Sequence, residues 1–269
     1  MNLHRCYLTQ NDCYKAGKTI TPKGVMVHST GANNPNLKRY VQPDDGLLGN
    51  NKNNNSWNRP GVSKCTHAVI GKLENGTIAT YQTLPWNMRG WHSSTGKSGK
   101  SANDTHISFE ICEDGLTDAK YFNAVYKEAV EFTAMLCKQF NFDPLADGVV
   151  ICHSEGYKRG IASNHGDVMH WFPKHGKSMD DFRADVANEM GVVVKAPITS
   201  PSPAPTKAEP YRVKVTADSL NIRRGPGVSY SKSGVITGKG VYTIVETKNG
   251  WGKLKSGAGW INLSYTRKV

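Results

Sequence analysis

Residues 149–172 read VVICHSEGYKRGIASNHGDVMHWF, an apolar run that ends at His153 and is followed by a polar loop carrying His165, Asp167 and His170. Residues 24–30, GVMVHST, repeat the design: an apolar run that reaches a histidine, His28. Apolar runs of this length between turn-forming residues read as buried strands. If the two strands share a sheet, His28 and His153 lie side by side at one rim, which is how a fold aims two imidazoles at one ion. A third ligand would come from the loop after His153, where His165, Asp167 and His170 compete. Zinc takes nitrogen or carboxylate oxygen at about 2.0–2.2 Å and, in hydrolytic sites, leaves one position for water. The helical H-E-x-x-H arrangement is absent, since HSEGYK has neither the adjacent glutamate nor a second histidine four residues on. Spacing alone leaves the ligand set open.

Working outward, CTHAVIGKLENGTIATYQ (65–82) predicts a hairpin turning at ENGT. THISFEICED (105–114) predicts a strand with Ile107 and Phe109 on one face and His106, Ser108 and Glu110 on the other. DAKYFNAVYKEAVEFTAMLCKQF (118–140) places Phe122, Val125, Ala129, Phe132, Leu136 and Phe140 at helical spacing, with Thr117 as the expected cap. SMDDFRADVANEM (178–190) predicts a second helix capped by Ser178 with Asp181 three residues on. Residues 44–60 read as loop. Strands and helices interleave, so the fold class expected is α/β, a mixed central sheet flanked by helices.

The chain has 269 residues and a net charge of +12. The charge is uneven: residues 1–190 carry 21 Lys and Arg against 19 Asp and Glu, whereas residues 211–269 carry 11 against 2. Between them runs GVVVKAPITSPSPAPTKAEP (191–210), whose five prolines favour an extended linker. The expected organisation is thus a domain at 1–190, a linker at 191–210 and a small basic domain at 211–269. A basic module attracts polyanions. Its aromatics do not interleave with its basic residues as stacking platforms do, which argues against nucleic acid. No apolar run approaches the ~18 residues of a membrane span, so no membrane insertion is expected. The start, MNLHRCYLTQND, turns polar too soon for a secretory signal, so synthesis in a host cytoplasm and action after release by another agent are expected. Six cysteines lack any C-x-x-C pair; Cys112, Cys137 and Cys152 are expected as buried thiols, and no disulfide is predicted. A monomer is the default.

Taken together and in order, MVHST, CTHAVI, RGWHSSTGKSG, THISFEIC and CHSEGYKRGIASNHGDVMHWF resemble the zinc-dependent N-acetylmuramoyl-L-alanine amidases related to peptidoglycan-recognition proteins, in particular those of phage endolysins and bacilli-type autolysins. The resemblance covers about residues 20–190. It implies zinc held by His28, His153 and Asp167, and a catalytic glutamate at Glu110. The family's lysine two residues before the third ligand is His165 here, which becomes a transition-state helper or a rival ligand. The tyrosine that some members place before the H-x-V-I strand is Thr66. Trp91, His92, Thr66 and His67 are expected to meet substrate. Residues 211–269, through LNIRRGPG, NGWGKL and GWINLSY, resemble bacterial SH3-like domains, small all-β barrels that hold lytic enzymes on bacterial peptidoglycan and other cell-wall polymers. The activity implied is hydrolysis of the bond between N-acetylmuramic acid and L-alanine. The rivals are a zinc peptidase acting within the stem peptide and a non-catalytic wall-binding protein.

Overall fold

The computed structural model describes residues 1–191, 210–226, 230, 232–248 and 250–269. The chain divides into two compact units, Met1–Val194 and Lys195–Val269. Most of the expected linker, residues 192–209, lies outside the described residues.

The first unit contains β1 (Leu3–Arg5), α1 (Asp12–Ala16), β2 (Gly24–Asn33), β3 (Ala68–Lys72), β4 (Ile78–Gln82), β5 (His106–Glu113), α2 (Ala119–Phe140), β6 (Val150–Cys152), α3 (His153–Lys158) and α4 (Met179–Glu189). The six strands form one mixed sheet in the order β1-β4-β3-β5-β2-β6, in which only the β3–β4 hairpin is antiparallel. This is the α/β class that the alternation of patterns predicts. Period-two alternation sends Val25 and Val27 of β2 and Ile107, Phe109 and Ile111 of β5 to one face. There they pack against Phe122, Val125, Ala129, Phe132 and Leu136 of α2, and Phe182 and Val186 of α4 complete the layer. The opposite face of the same strands carries His28, Ser108 and Glu110. The hydrophobic layer therefore fixes which way the site residues point.

Capping departs from expectation by one residue at α2. Asp118, not Thr117, is the cap, its carboxylate accepting from the N–H groups of Lys120 and Tyr121. An acid at this end also favours the helix dipole. Ser178 caps α4 with Asp181 answering, as expected. A second correction concerns the cysteines. Cys13 and Cys65, 52 residues apart, are joined in a disulfide with their Cα atoms 6.8 Å apart. The loop at 61–65 is brought to α1 by local hydrogen bonds, Asp12 N–H to Val62 O at 3.0 Å and Asn11 Nδ2 to Lys64 O at 3.1 Å. Neither contact has a sequence signature. Cys112, Cys137 and Cys152 are free and buried, as expected.

The second unit is all antiparallel: β7 (Tyr211–Val215), β8 (Ser219–Arg223), β9 (Lys232–Thr237), β10 (Val241–Lys248), β11 (Trp251–Leu254), β12 (Trp260–Asn262) and β13 (Thr266–Lys268) form a seven-stranded sheet in the order β13-β7-β10-β11-β12-β8-β9. Val213, Val215, Leu220, Ile222, Ile236, Ile244, Leu254 and Ile261 make its core. The alternation in YRVKV thus puts its valines inward and its cations outward.

Candidate metal centre and active site

β2 and β6 run parallel with Val25 opposite Val150, Met26 opposite Ile151 and Val27 opposite Cys152. Continuing that register by one residue sets His28 beside His153. Gly24 makes the approach possible: a Cβ there would lie 2.2 Å from the carbonyl oxygen of Val149. His28 is not at a strand end, since β2 continues to Asn33, and His153 opens α3 rather than closing β6. Within HSEGYK, Glu155 explains that start, for its Oε2 accepts from the N–H of Cys152 at 3.1 Å. Arg183 of α4 clamps the same carboxylate at 3.0 and 3.1 Å.

The third member arrives on the loop after α3. Asp167 Oδ2 lies 2.9 Å from Nδ1 of His28 and 2.9 Å from Nδ1 of His153, and the two Nδ1 atoms are 3.2 Å apart. The next residue holds this loop in place. Val168 has a left-handed backbone (φ 45°), which for a β-branched residue costs on the order of 1–3 kcal/mol and persists only where its surroundings enforce it. Here the Val168 side chain is fully buried, and its N–H donates to Ser29 Oγ at 3.1 Å. Trp171 packs edge-on to Phe122 at 5.3 Å. His170, one of the three competitors for the third ligand position, pairs instead with buried Glu113 at 2.9 Å and ties the loop to β5.

The far sides of both imidazoles are engaged. His28 Nε2 is 3.0 Å from Nδ1 of His92, and His153 Nε2 is 3.3 Å from Ser163 Oγ. A metal at this point would take the tautomer in which Nε2 carries the proton in each ring, donating to His92 Nδ1 and Ser163 Oγ, and both Nδ1 lone pairs serve as ligands. Burial lowers the proton affinity of His28, and the hydrogen bond and charge of Asp167 oppose that shift. Burial works against the charge of Asp167, but the hydrogen bonds and charges of His153 and His28 prevail and hold its carboxyl well below the usual carboxylate range. Two imidazole nitrogens and a carboxylate oxygen so close together could hold a cation, which takes the rings neutral and the carboxyl ionised. Four ligands around zinc at about 2.0–2.1 Å are separated by about 3.3 Å, close to the triangle observed, so the donor set fits that ion. His28, His153 and Asp167 are the group of metal-binding type among the described residues.

Glu110 lies directly across from His28 in the β2–β5 register and on the same face. Its Oε2 is shielded and without a hydrogen-bond partner. Burial first, and then the charges of Asp167 and Glu113, push its carboxyl well above the ordinary range, with Lys64 opposing. His165 is exposed, its Nδ1 3.0 Å from Ser163 Oγ and its ring 4.6 Å from that of His153. Trp91 is 40% exposed beneath the Arg89 guanidinium.

Two expected substrate contacts are corrected. Thr66 is buried, with Oγ1 donating to Ala68 O at 2.9 Å. His67 is wholly buried, its Nδ1 accepting from Ser108 N–H at 3.0 Å and its Nε2 donating to Met88 O at 2.7 Å. Neither side chain has a free polar atom to offer substrate; both hold the sheet under the site. His92 faces His28 rather than solvent. Ser163 was not anticipated, and a lone serine in a polar loop carries no signal that would have found it.

Two histidines and a carboxylate beside a half-buried glutamate form a hydrolytic type of site. A family model described as N-acetylmuramoyl-L-alanine amidase matches residues 18–170, more than half of the chain, and the chain belongs to that family. It is an amidase, a hydrolase of peptidoglycan. Similar solved structures include the catalytic domain of XlyA (19% identity, covering 69% of this chain and 99% of that one, TM-score 0.47). A mutant endolysin from Bacillus subtilis gives 20% identity, 69% and 99% coverage and a TM-score of 0.48. The hydrolase AmiA of Staphylococcus aureus, in complex with its ligand, gives 18% identity, 72% and 86% coverage and a TM-score of 0.46. No curated protein matches the chain. Among the described residues no helix is long and apolar enough to cross a membrane.

Proposed function

We propose that this amidase is a zinc enzyme of phage-endolysin type that cuts the bond between the lactyl group of N-acetylmuramic acid and L-alanine, with His28, His153 and Asp167 as the metal ligands. The observation that carries the reading is the convergence of two Nδ1 atoms and one carboxylate oxygen within 3.2 Å of one another. When bound, zinc supplies Lewis acidity, lowering the pKa of water in its open position to about 7 and polarising the scissile carbonyl. Glu110 takes the proton from the attacking water and hands it to the departing amide nitrogen, a role suited by a carboxyl whose proton affinity burial has raised. His165, on the solvent side of His153, offsets negative charge on the carbonyl oxygen when protonated. His92 and Ser163 fix the tautomer and orientation of the two ligand rings. Trp91 offers an exposed apolar rim for the glycan or peptide. The C-terminal unit, an SH3-like domain in this reading, docks the enzyme on the wall.

Purified walls test this directly. Clearing of a wall suspension should stop when metal is stripped and return with added zinc, and mass spectrometry should find L-alanine as the new amino terminus. Undiminished clearing by metal-free protein would refute the zinc assignment. New termini within the stem peptide would refute the bond assignment.

A further inference from the structure

The outer face of β7 carries Arg212 and Lys214, alternating with the buried Val213 and Val215. In the β7–β13 pairing Lys214 stands directly opposite Arg267. Residues directly opposite share a face with Cβ atoms about 4.5–5.5 Å apart, and like charges so placed destabilise a sheet. Arg212 is two residues from Lys214 on the same side, roughly 7 Å along the strand. All three lie within the ~8 Å screening length of physiological salt, so they repel one another. The carboxylates of residues 211–269 do not relieve them: Asp218 pairs with Lys239 and Glu246 with Lys253, each at 3.0 Å. Solubility would be served by the same charges dispersed around the sheet. Juxtaposed, and unpaired among the described residues, they make a site for a repeating anion.

We infer that this face of the C-terminal unit, built from Arg212, Lys214 and Arg267, binds a phosphodiester-linked polymer of the bacterial wall. Guanidinium forks match phosphate oxygens two at a time. Cations about 5–7 Å apart on neighbouring strands meet successive phosphates of one chain. The flanking partners on β10, Val241 opposite Lys214 and Thr243 opposite Arg212, add no aromatic surface for stacking bases. The choice of a wall polymer rests on the wall-docking reading given above.

The test uses the full chain and two preparations of walls, untreated or extracted with hydrofluoric acid to remove phosphodiester polymers. Co-sedimentation should show tight, salt-sensitive binding to untreated walls and weak binding to extracted ones. Replacing the three cations (Arg212→Gln, Lys214→Gln, Arg267→Gln) should weaken binding to untreated walls about 100-fold, roughly fivefold for each cation near an anionic surface. Cleavage of soluble muropeptide fragments should be unchanged, and unchanged near-UV circular dichroism and thermal unfolding of the full chain verify that the C-terminal unit is folded. A control that removes equal charge elsewhere in the unit (Arg224→Gln, Lys232→Gln, Lys248→Gln) should lose less than tenfold. Equal losses in both variants, equal binding to both wall preparations, or capture of duplex DNA as tight as that of walls would overturn the inference. Wild-type protein that binds neither preparation would instead overturn the wall-docking reading itself.

Discussion

Replacing His92 by alanine separates support of the metal site from contact with substrate. The Nδ1 atom of His92 is 3.0 Å from Nε2 of His28, and its own backbone is pinned by Asn103 Oδ1, which accepts its N–H at 2.8 Å. Removing this partner frees the His28 ring to change tautomer and orientation. Loss of such an outer hydrogen bond typically weakens metal binding 10–100-fold, about 1.4–2.7 kcal/mol at 25 °C. The assay is competition for zinc against a chromophoric chelator, with kcat and KM on a soluble muropeptide measured at saturating zinc. The expected outcome is a weaker zinc Kd in the alanine variant, partial recovery in His92→Asn, whose Oδ1 can accept from Nε2–H, and a nearly unchanged KM. An unchanged zinc Kd with a raised KM would refute the reasoning and return His92 to the substrate rim.

Glu110→Gln should keep its zinc and lose most turnover, read by metal analysis beside the muropeptide assay; retained turnover would remove Glu110 from the mechanism. In chelator-treated protein the same variant should unfold at higher temperature. Because the folded carboxyl titrates above its unfolded value, ionising it opposes folding. The advantage of glutamine is therefore absent near the unfolded carboxylate pKa of about 4.3 and grows with pH until the raised folded pKa is passed. A Cys13→Ser, Cys65→Ser protein should lose up to about 4 kcal/mol of denaturant stability, the chain-entropy value for a closed loop of this length, without change in zinc affinity. Removing residues 191–269 should leave hydrolysis of soluble fragments intact and weaken the lysis of whole cells, measured as turbidity loss.

What the sequence disclosed follows from where physical pattern is local. The strands around His28 and His153 were legible as apolar runs reaching a histidine, that around Glu110 because apolar and polar residues alternate every two positions, and α2 because six apolar side chains recur at helical spacing. Asp167 was not separable from His165 and His170 by spacing alone. Its selection depends on the turn at Val168, whose left-handed backbone no residue preference announces. Thr66 and His67 misled for a related reason, since CTHAVI gives no sign that Thr83 and Met88 fold over it and take up its polar groups. The Cys13–Cys65 bond joins segments brought together by tertiary hydrogen bonds, and Asp118 displaced its neighbour Thr117 because aspartate is the stronger cap and its charge favours the helix dipole.

The most direct measurement is anomalous diffraction at the zinc absorption edge from crystals of lytically active protein. The account predicts one strong peak about 2.0–2.2 Å from His28 Nδ1, His153 Nδ1 and Asp167 Oδ2. A peak ligated by His165 in place of Asp167, or active crystals with no peak among these three side chains, would contradict it.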